Sequence, residues 1–213
     1  DRIYTSTDSG VTWIARESNR AWYSVDSSAD GSKLVAVVYG GNIYTSTDSG
    51  VSWIPRESAR LWQPASTSSA DGSKLAAMEQ QGPIYTSTDS GENWTSHNII
   101  QPWLALASSA DGNKLVAAAF GGTLYTSTDA GVSWTPRESN RNWDAVASSA
   151  DGSKLAAAVR GGRIYTSTDS GVTWTARESD RDWWTVASSA GGSKLVAGVW
   201  DGRVYTSAPT TSL

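Results

Sequence analysis

Tyr39, Gln80, Phe120, Arg160 and Trp200 fall in one column of this 213-residue sequence, each standing directly before a two-residue turn that ends in glycine. The residue after that turn changes as freely (Asn42, Pro83, Thr123, Arg163, Arg203). So does the residue following a recurrent tryptophan (Tyr23, Gln63, Leu104, Asp144, Trp184), and the one preceding it (Ala21, Leu61, Pro102, Asn142, Asp182). Everything around these columns is nearly constant from copy to copy. Aromatic faces stack on sugar rings or apolar groups, and guanidinium groups orient polar ligands; both types are enriched in binding hot spots. The columns nominate Tyr23, Tyr39, Phe120, Arg160, Trp184 and Trp200 as ligand-binding residues. Drift at unconstrained surface positions is the competing explanation. It accounts poorly for large aromatics in exposed loops, where they cost solubility.

Catalytic chemistry has less to work with. Glycoside hydrolysis needs two carboxylates on the order of 5–10 Å apart across the sugar. Asp26, Glu79, Asp144 and Asp182 lie near the variable columns, but no spacing fixes a pair. Cysteine is absent and His97 is the lone histidine, so neither a thiolate centre nor a histidine-rich metal site is available. No catalytic residue, metal or cofactor is expected. A net charge of -4 with both signs interspersed lacks the electrostatic footprint of a nucleic-acid binder. No apolar run approaches the roughly 18 residues of a membrane-spanning helix.

The scaffold that must present the columns is a repeat. Tyr-Thr-Ser begins at Tyr4, Tyr44, Tyr85, Tyr125, Tyr165 and, truncated, at Tyr205, a period of 40 or 41 residues. Each of the first five copies continues as Ser-x-Asp-x-Gly-x-(Thr/Ser/Asn)-Trp. The recurring triplets are Asp8, Gly10 and Trp13; Asp48, Gly50 and Trp53; Asp89, Gly91 and Trp94; Asp129, Gly131 and Trp134; and Asp169, Gly171 and Trp174. An Asp two residues before a Gly suits a tight reversal, because the carboxylate accepts backbone N–H bonds and glycine takes positive φ. The tryptophans of this motif are expected in the core.

In the copy from Ala21 to Arg60 four short strands follow one another: Trp22 to Ser28, Lys33 to Tyr39, Asn42 to Thr47 and Val51 to Arg56. Turns at Ala29-Asp30-Gly31-Ser32 and Gly40-Gly41, and the Asp-Gly motif itself, separate them. The second strand is apolar on both faces, as in a sheet sandwiched between neighbours. Helix signals are absent, and four strands per 40 residues is one propeller blade. A bulge is expected in the second copy, where an extra residue falls around Ala65-Ser66-Thr67.

The repeated motif closely resembles the Asp-box, or BNR repeat, of sialidase-like and sortilin-like β-propellers. In that family the motif is a structural turn remote from the active site, so the resemblance implies a fold and not a sialidase activity. Sialidases of the class use an arginine triad, a Tyr/Glu nucleophile and an Asp acid; here only Arg160, Arg163, Glu79 and Tyr39 are individual enough to match such roles.

The expectation is an all-β, five-bladed β-propeller with four antiparallel strands per blade, closed by N- and C-terminal strands sharing one blade. The third strand occurs six times, one more than five blades need, which leaves strand exchange between chains open beside a monomer. Residues 1–207 read as the single propeller domain and 208–213 as the start of a polar linker. An extracellular or cell-surface setting within a larger protein is favoured.

The inner tryptophans (Trp22, Trp62, Trp103, Trp143, Trp183) read as packing anchors between blades, with sugar-stacking platforms as the rival. The repeated Arg-Glu-Ser-x-Arg loops read as ion pairs linking blades. The functional expectation is a non-catalytic, lectin-like carbohydrate binder; the alternative is an interaction propeller that meets one protein partner, and a glycosidase is third.

Overall fold

A computed structural model describes residues 1–207. The expected linker, 208–213, lies outside the described residues. The chain divides into two compact units, Asp1–Ile99 and the part from Ile100 onward. Both are built from antiparallel strands alone, and no helix is found among the described residues.

The first unit begins with a hairpin, β1 (Ile3–Thr5) and β2 (Ile14–Arg16). Two four-stranded sheets follow. One comprises β3 (Trp22–Ser27), β4 (Leu34–Gly41), β5 (Ile43–Ser46) and β6 (Ile54–Pro55). The other comprises β7 (Arg60–Ser68), β8 (Leu75–Glu79), β9 (Ile84–Ser87) and β10 (Thr95–His97). A short bridge from β4 to β7, Tyr39 opposite Leu61, ties the two together.

The second unit holds two further four-stranded sheets. The first runs through β11 (Trp103–Ser108), β12 (Leu115–Ala119), β13 (Leu124–Ser127) and β14 (Thr135–Arg137). The next runs through β15 (Trp143–Ser148), β16 (Leu155–Val159), β17 (Gly162–Ser167) and β18 (Thr175–Arg181). The last sheet has three strands, β19 (Trp183–Ser188), β20 (Leu195–Val199) and β21 (Val204–Thr206).

Second strands bury both faces, as their sequence requires: Ala117, Ala118 and Ala119, like Ala156, Ala157 and Ala158, are fully buried. Alanine leaves room for the neighbouring sheet, and the inner tryptophan of that neighbour fills it. Trp62 packs against Val35, Val37 and Ile43 of the preceding sheet, and its Nε1 donates to the Gly41 carbonyl at 2.9 Å. Trp143 packs likewise on Val116, Ala118 and Leu124, and Trp183 on Ala156, Ala158 and Ile164. These residues are inter-sheet anchors. Trp62, Trp103, Trp143 and Trp183 are at most 1% exposed, so no sugar ring can stack on them.

The Asp-Gly motif folds as its chemistry dictates. In the second copy Ser46 Oγ donates to Asp48 Oδ1 at 2.8 Å and accepts from the Gly50 amide at 2.8 Å. Asp48 accepts from the Ser52 amide and hydroxyl at 2.9 and 2.5 Å, and Trp53 Nε1 donates to the Gly50 carbonyl. Gly50 lies at φ 80° and Ser49 before it at 59°, so two successive residues are left-handed. A Cβ on Gly50 would lie 2.6 Å from Thr5 Cγ2, so the glycine is also a contact between neighbouring sheets.

Fourth strands begin later than expected, although β18 also runs further. The motif's hydrogen bonds reach as far as its tryptophan, so ladder pairing resumes only at Ile54 in the second copy. The motif tryptophans are less uniformly core than expected. Trp53 is buried and Trp94, Trp134 and Trp174 are half-buried, but Trp13 is 61% exposed. Its indole still closes the local turn onto the Gly10 carbonyl at 3.0 Å, which needs no burial.

The ion pairs that recur in the Arg-Glu-Ser-x-Arg loops lie within each loop and do not link sheets as expected; the recurrent link to the next sheet is an arginine stacked on a tyrosine. The first arginine binds the third-strand threonine of its own copy, as Arg16 Nε does Thr5 Oγ1 at 3.0 Å. The second pairs locally, as Arg20 does with Glu17 at 3.5 Å, and also stacks 4.8 Å over Tyr44 of the following sheet. In the third copy, where Ser96-His97-Asn98-Ile99-Ile100-Gln101 replaces this loop, His97 reaches Thr86 at 2.8 Å, and Gln101 reaches the Tyr125 hydroxyl at 3.3 Å.

Candidate functional site

Every first strand carries a β-bulge immediately after its inner tryptophan. Register shifts fall between Trp22 and Ser24, Trp62 and Ser66, Trp103 and Ala105, Trp143 and Ala145, and Trp183 and Thr185. The extra residue of the second copy widens one bulge that all copies share. The residue at each bulge is the variable one: Tyr23, Gln63, Leu104, Asp144, Trp184. A bulge leaves the ladder locally and re-aims a side chain, so it suits a position chosen for something other than sheet pairing.

Backbone bonds bring the other column alongside. Tyr39 N donates to the Ala21 carbonyl at 2.9 Å, and Phe120, Arg160 and Trp200 bind Pro102, Asn142 and Asp182 in the same way. Each sheet therefore offers a side-by-side pair, one residue from the bulge and one from the turn. In the first unit this pair is Tyr23 and Tyr39, packed edge to face with centroids 5.4 Å apart, each nearly half exposed.

The second unit assembles more. Asp144 and Arg160 form one pair, with Nε to Oδ2 at 2.7 Å and Nη2 to Oδ1 at 3.1 Å. Trp184 and Trp200 form the next, with ring centroids 4.5 Å apart and tilted 51°. The Arg160 guanidinium joins them, lying 4.6 Å over Trp184 and 5.5 Å over Phe120. Phe120, Arg160, Trp184 and Trp200 thus make a continuous ladder across three sheets. Trp200 at its end is 62% exposed, its packing partner being Trp184.

Beside the ladder is a hollow of ≈ 450 Å³ lined by Arg141, Asn142, Arg160, Arg163, Tyr165 and Asp180. Arg163 Nε binds Asp180 at 3.0 Å. Burial pushes the Asp144 carboxyl up from its ordinary value; the Arg160 bonds oppose that and the charge of Asp182 adds to it.

Not every variable residue is exposed. Gln63 and Asp144 are buried, contrary to a purely solvent-facing set, whereas Tyr23 and Trp184 at the same bulge position are exposed. Two of the other carboxylates considered for catalysis, Asp26 and Glu79, are also engaged, while Asp182 is exposed. Asp26 accepts from the Ser27 and Ser68 amides at 2.8 Å, with burial raising its carboxyl. Glu79 faces Arg60 at 3.6 Å and the Tyr85 hydroxyl at 3.3 Å. Among the described residues no group of three or more His, Cys, Asp or Glu is arranged to hold a metal, and no helix is long and apolar enough to cross a membrane.

No protein-family model matches the chain, and no curated protein sequence does either. Solved structures do match it. An ancestral GH74 enzyme is 17% identical, with a TM-score of 0.76 over 95% of this chain and 33% of its own. A GH74 enzyme from Niastella koreensis is 25% identical, with a TM-score of 0.76 over 100% of this chain and 35% of its own. YCF48 bound to a D1 peptide is 16% identical, with a TM-score of 0.68 over 92% of this chain and 67% of its own. The chain thus spans about a third of the length of the GH74 enzymes it resembles. These relatives in shape are β-propellers, and with its consecutive antiparallel sheets the chain shares the β-propeller fold.

Proposed function

We propose that the chain is a non-catalytic recognition module that binds carbohydrate through the Phe120–Arg160–Trp184–Trp200 ladder. The observation that carries this reading is Trp200. An indole 62% exposed, with Trp184 packed on it at 4.5 Å, offers a fixed apolar platform for the C–H face of a sugar ring. Arg160, held in place by Asp144, supplies directional donors close by, the combination typical of small-ligand sites. Likeness in fold to GH74 enzymes is compatible with sugar recognition. Asp144 has both oxygens engaged by Arg160, which suits a positioning role and not that of a nucleophile or acid.

A second reading has its own support. Arg160 and Trp200 both pack on Trp184 before any ligand arrives, and Trp and Arg dominate protein–protein hot spots. The fold likeness to YCF48, seen with a bound D1 peptide, is in keeping with a polypeptide partner. A glycan-array screen separates the two. Selective binding supports the first reading, and a blank array discards it in favour of the second.

The scaffold proposed is a single Asp-box propeller over residues 1–207, closed at five blades. Strand types support that reading, since the β19–β21 sheet lacks a fourth strand and β2 is of the fourth type.

A further inference from the structure

Arg160 and Arg163 flank the same Gly-Gly turn, and no other copy has arginine at both positions. With Arg141 they bring three guanidinium groups to one hollow of ≈ 450 Å³. Three arginines alone would call for an anionic ligand. Here each has its own acid. Arg141 Nη2 lies 3.6 Å from Glu138, Arg160 holds Asp144 through two bonds, and Arg163 holds Asp180 at 3.0 Å. Asp182, whose charge is felt at Asp144, is a further negative charge nearby. The hollow therefore offers many directed donors and acceptors with no positive excess.

We infer that the site takes an uncharged oligosaccharide and discriminates against sialylated, sulfated or uronate-bearing glycans. The inference rests on the carbohydrate reading above. A sugar hydroxyl both donates and accepts, so guanidinium and carboxylate held side by side match neighbouring hydroxyls in a way that a bare cation cannot. Arg163 spends only its Nε on Asp180 and keeps its Nη groups to offer. A carboxylate or sulfate entering the hollow would meet Asp180 as well as the arginines. The ligand also needs more than one ring. Trp200 is separated from the hollow by Trp184 and Arg160, at successive spacings of 4.5 and 4.6 Å.

The test is an array of matched glycan pairs, neutral and sialylated, sulfated or uronate-bearing, probed at about 0.05 and about 0.5 M NaCl. The expected result is binding to neutral oligosaccharides that changes less than about 2-fold with salt, as for an uncharged ligand. Arg163→Ala, an exposed position whose loss leaves the fold intact, should weaken that binding about 10-fold. Asp180→Asn leaves Arg163 unbalanced and should shift preference toward the acidic member of each pair. Salt-sensitive preference of the unaltered protein for acidic glycans would overturn the inference and leave the carbohydrate reading standing. An unchanged preference in Asp180→Asn counts against the inference in the same way. Binding to no glycan at all would overturn both.

Discussion

Arg160 clasps Asp144 through two hydrogen bonds, Nε to Oδ2 at 2.7 Å and Nη2 to Oδ1 at 3.1 Å, with the Asp144 side chain only 2% exposed. Neither residue is part of the repeat. The pair exists because a bulge places Asp144 under Arg160, and it fixes the guanidinium over Trp184. Removing one partner leaves a buried carboxylate alone. Arg160→Ala should destabilise the protein by about 3 kcal/mol, the low end for a broken buried pair. Denaturant melts of Arg160→Ala and of the double variant Arg160→Ala/Asp144→Ala check this, with the double variant recovering part of the loss.

Trp200 separates binding from folding. It is exposed and belongs to the end of the ladder, so Trp200→Ala should leave thermal stability within about 0.5 kcal/mol of the parent, as for a surface substitution. Its ligand affinity should fall about 30-fold, the effect of losing a hot-spot aromatic worth roughly 2 kcal/mol. Trp143→Ala should do the opposite kind of damage. It empties an inter-sheet anchor that is 0% exposed and should cost about 3–5 kcal/mol of stability.

Gly171 tests the motif glycines. Its φ is 84°, and a Cβ there would lie 2.7 Å from Thr126 Cγ2 of the neighbouring sheet. Both the backbone and the space resist a side chain. Gly171→Ala should cost about 2–3 kcal/mol, whereas the same change at Gly191, with nothing within 4 Å of its added Cβ and no positive φ, should be nearly neutral.

Acid should unfold the protein through its turns. Hydrogen bonds from Ser52 and Ser46 hold Asp48 at about 2, against an ordinary 3.8, and Asp8, Asp89 and Asp169 are held at about 2 in the same way. A carboxyl lowered by folding adds stability that is present above its unfolded value and is lost as pH falls through the folded one. Asp26 and Asp144, raised by burial, act in the opposite sense: their contribution is complete below 3.8 and is lost as pH rises through the folded value. The lowered groups outnumber the raised ones. Melting temperature should therefore drop between about pH 4 and about pH 2, and Asp169→Asn should flatten that drop. Circular-dichroism melts across the range measure both.

The scaffold was legible because its determinants are local and repeated. Ser46, Asp48, Gly50 and Ser52 satisfy one another within a few residues, so their spacing alone specifies the turn. The apolar run of each second strand likewise required burial on both faces. The variable columns were visible as disagreements between copies, and four of the six nominated residues do meet. Beyond the one signalled by the extra residue of the second copy, the bulges were not visible, because nothing in a Trp-x-x sequence marks which residue drops out of register. Without them Asp144 reads as one more exposed acid, and its bonds to Arg160 have no sequence signal. The hollow lined by Arg141, Arg163 and Asp180 also depends on register, since its residues come from three strand ends and loops of one sheet.

Calorimetric titration of the parent and Trp200→Ala with the tightest array ligand decides whether the ladder is the binding site. One oligosaccharide per chain is expected, since Phe120, Arg160, Trp184 and Trp200 occur together once, with at least about 30-fold weaker binding by Trp200→Ala. About five sites per chain, or undiminished affinity in Trp200→Ala, would contradict that assignment.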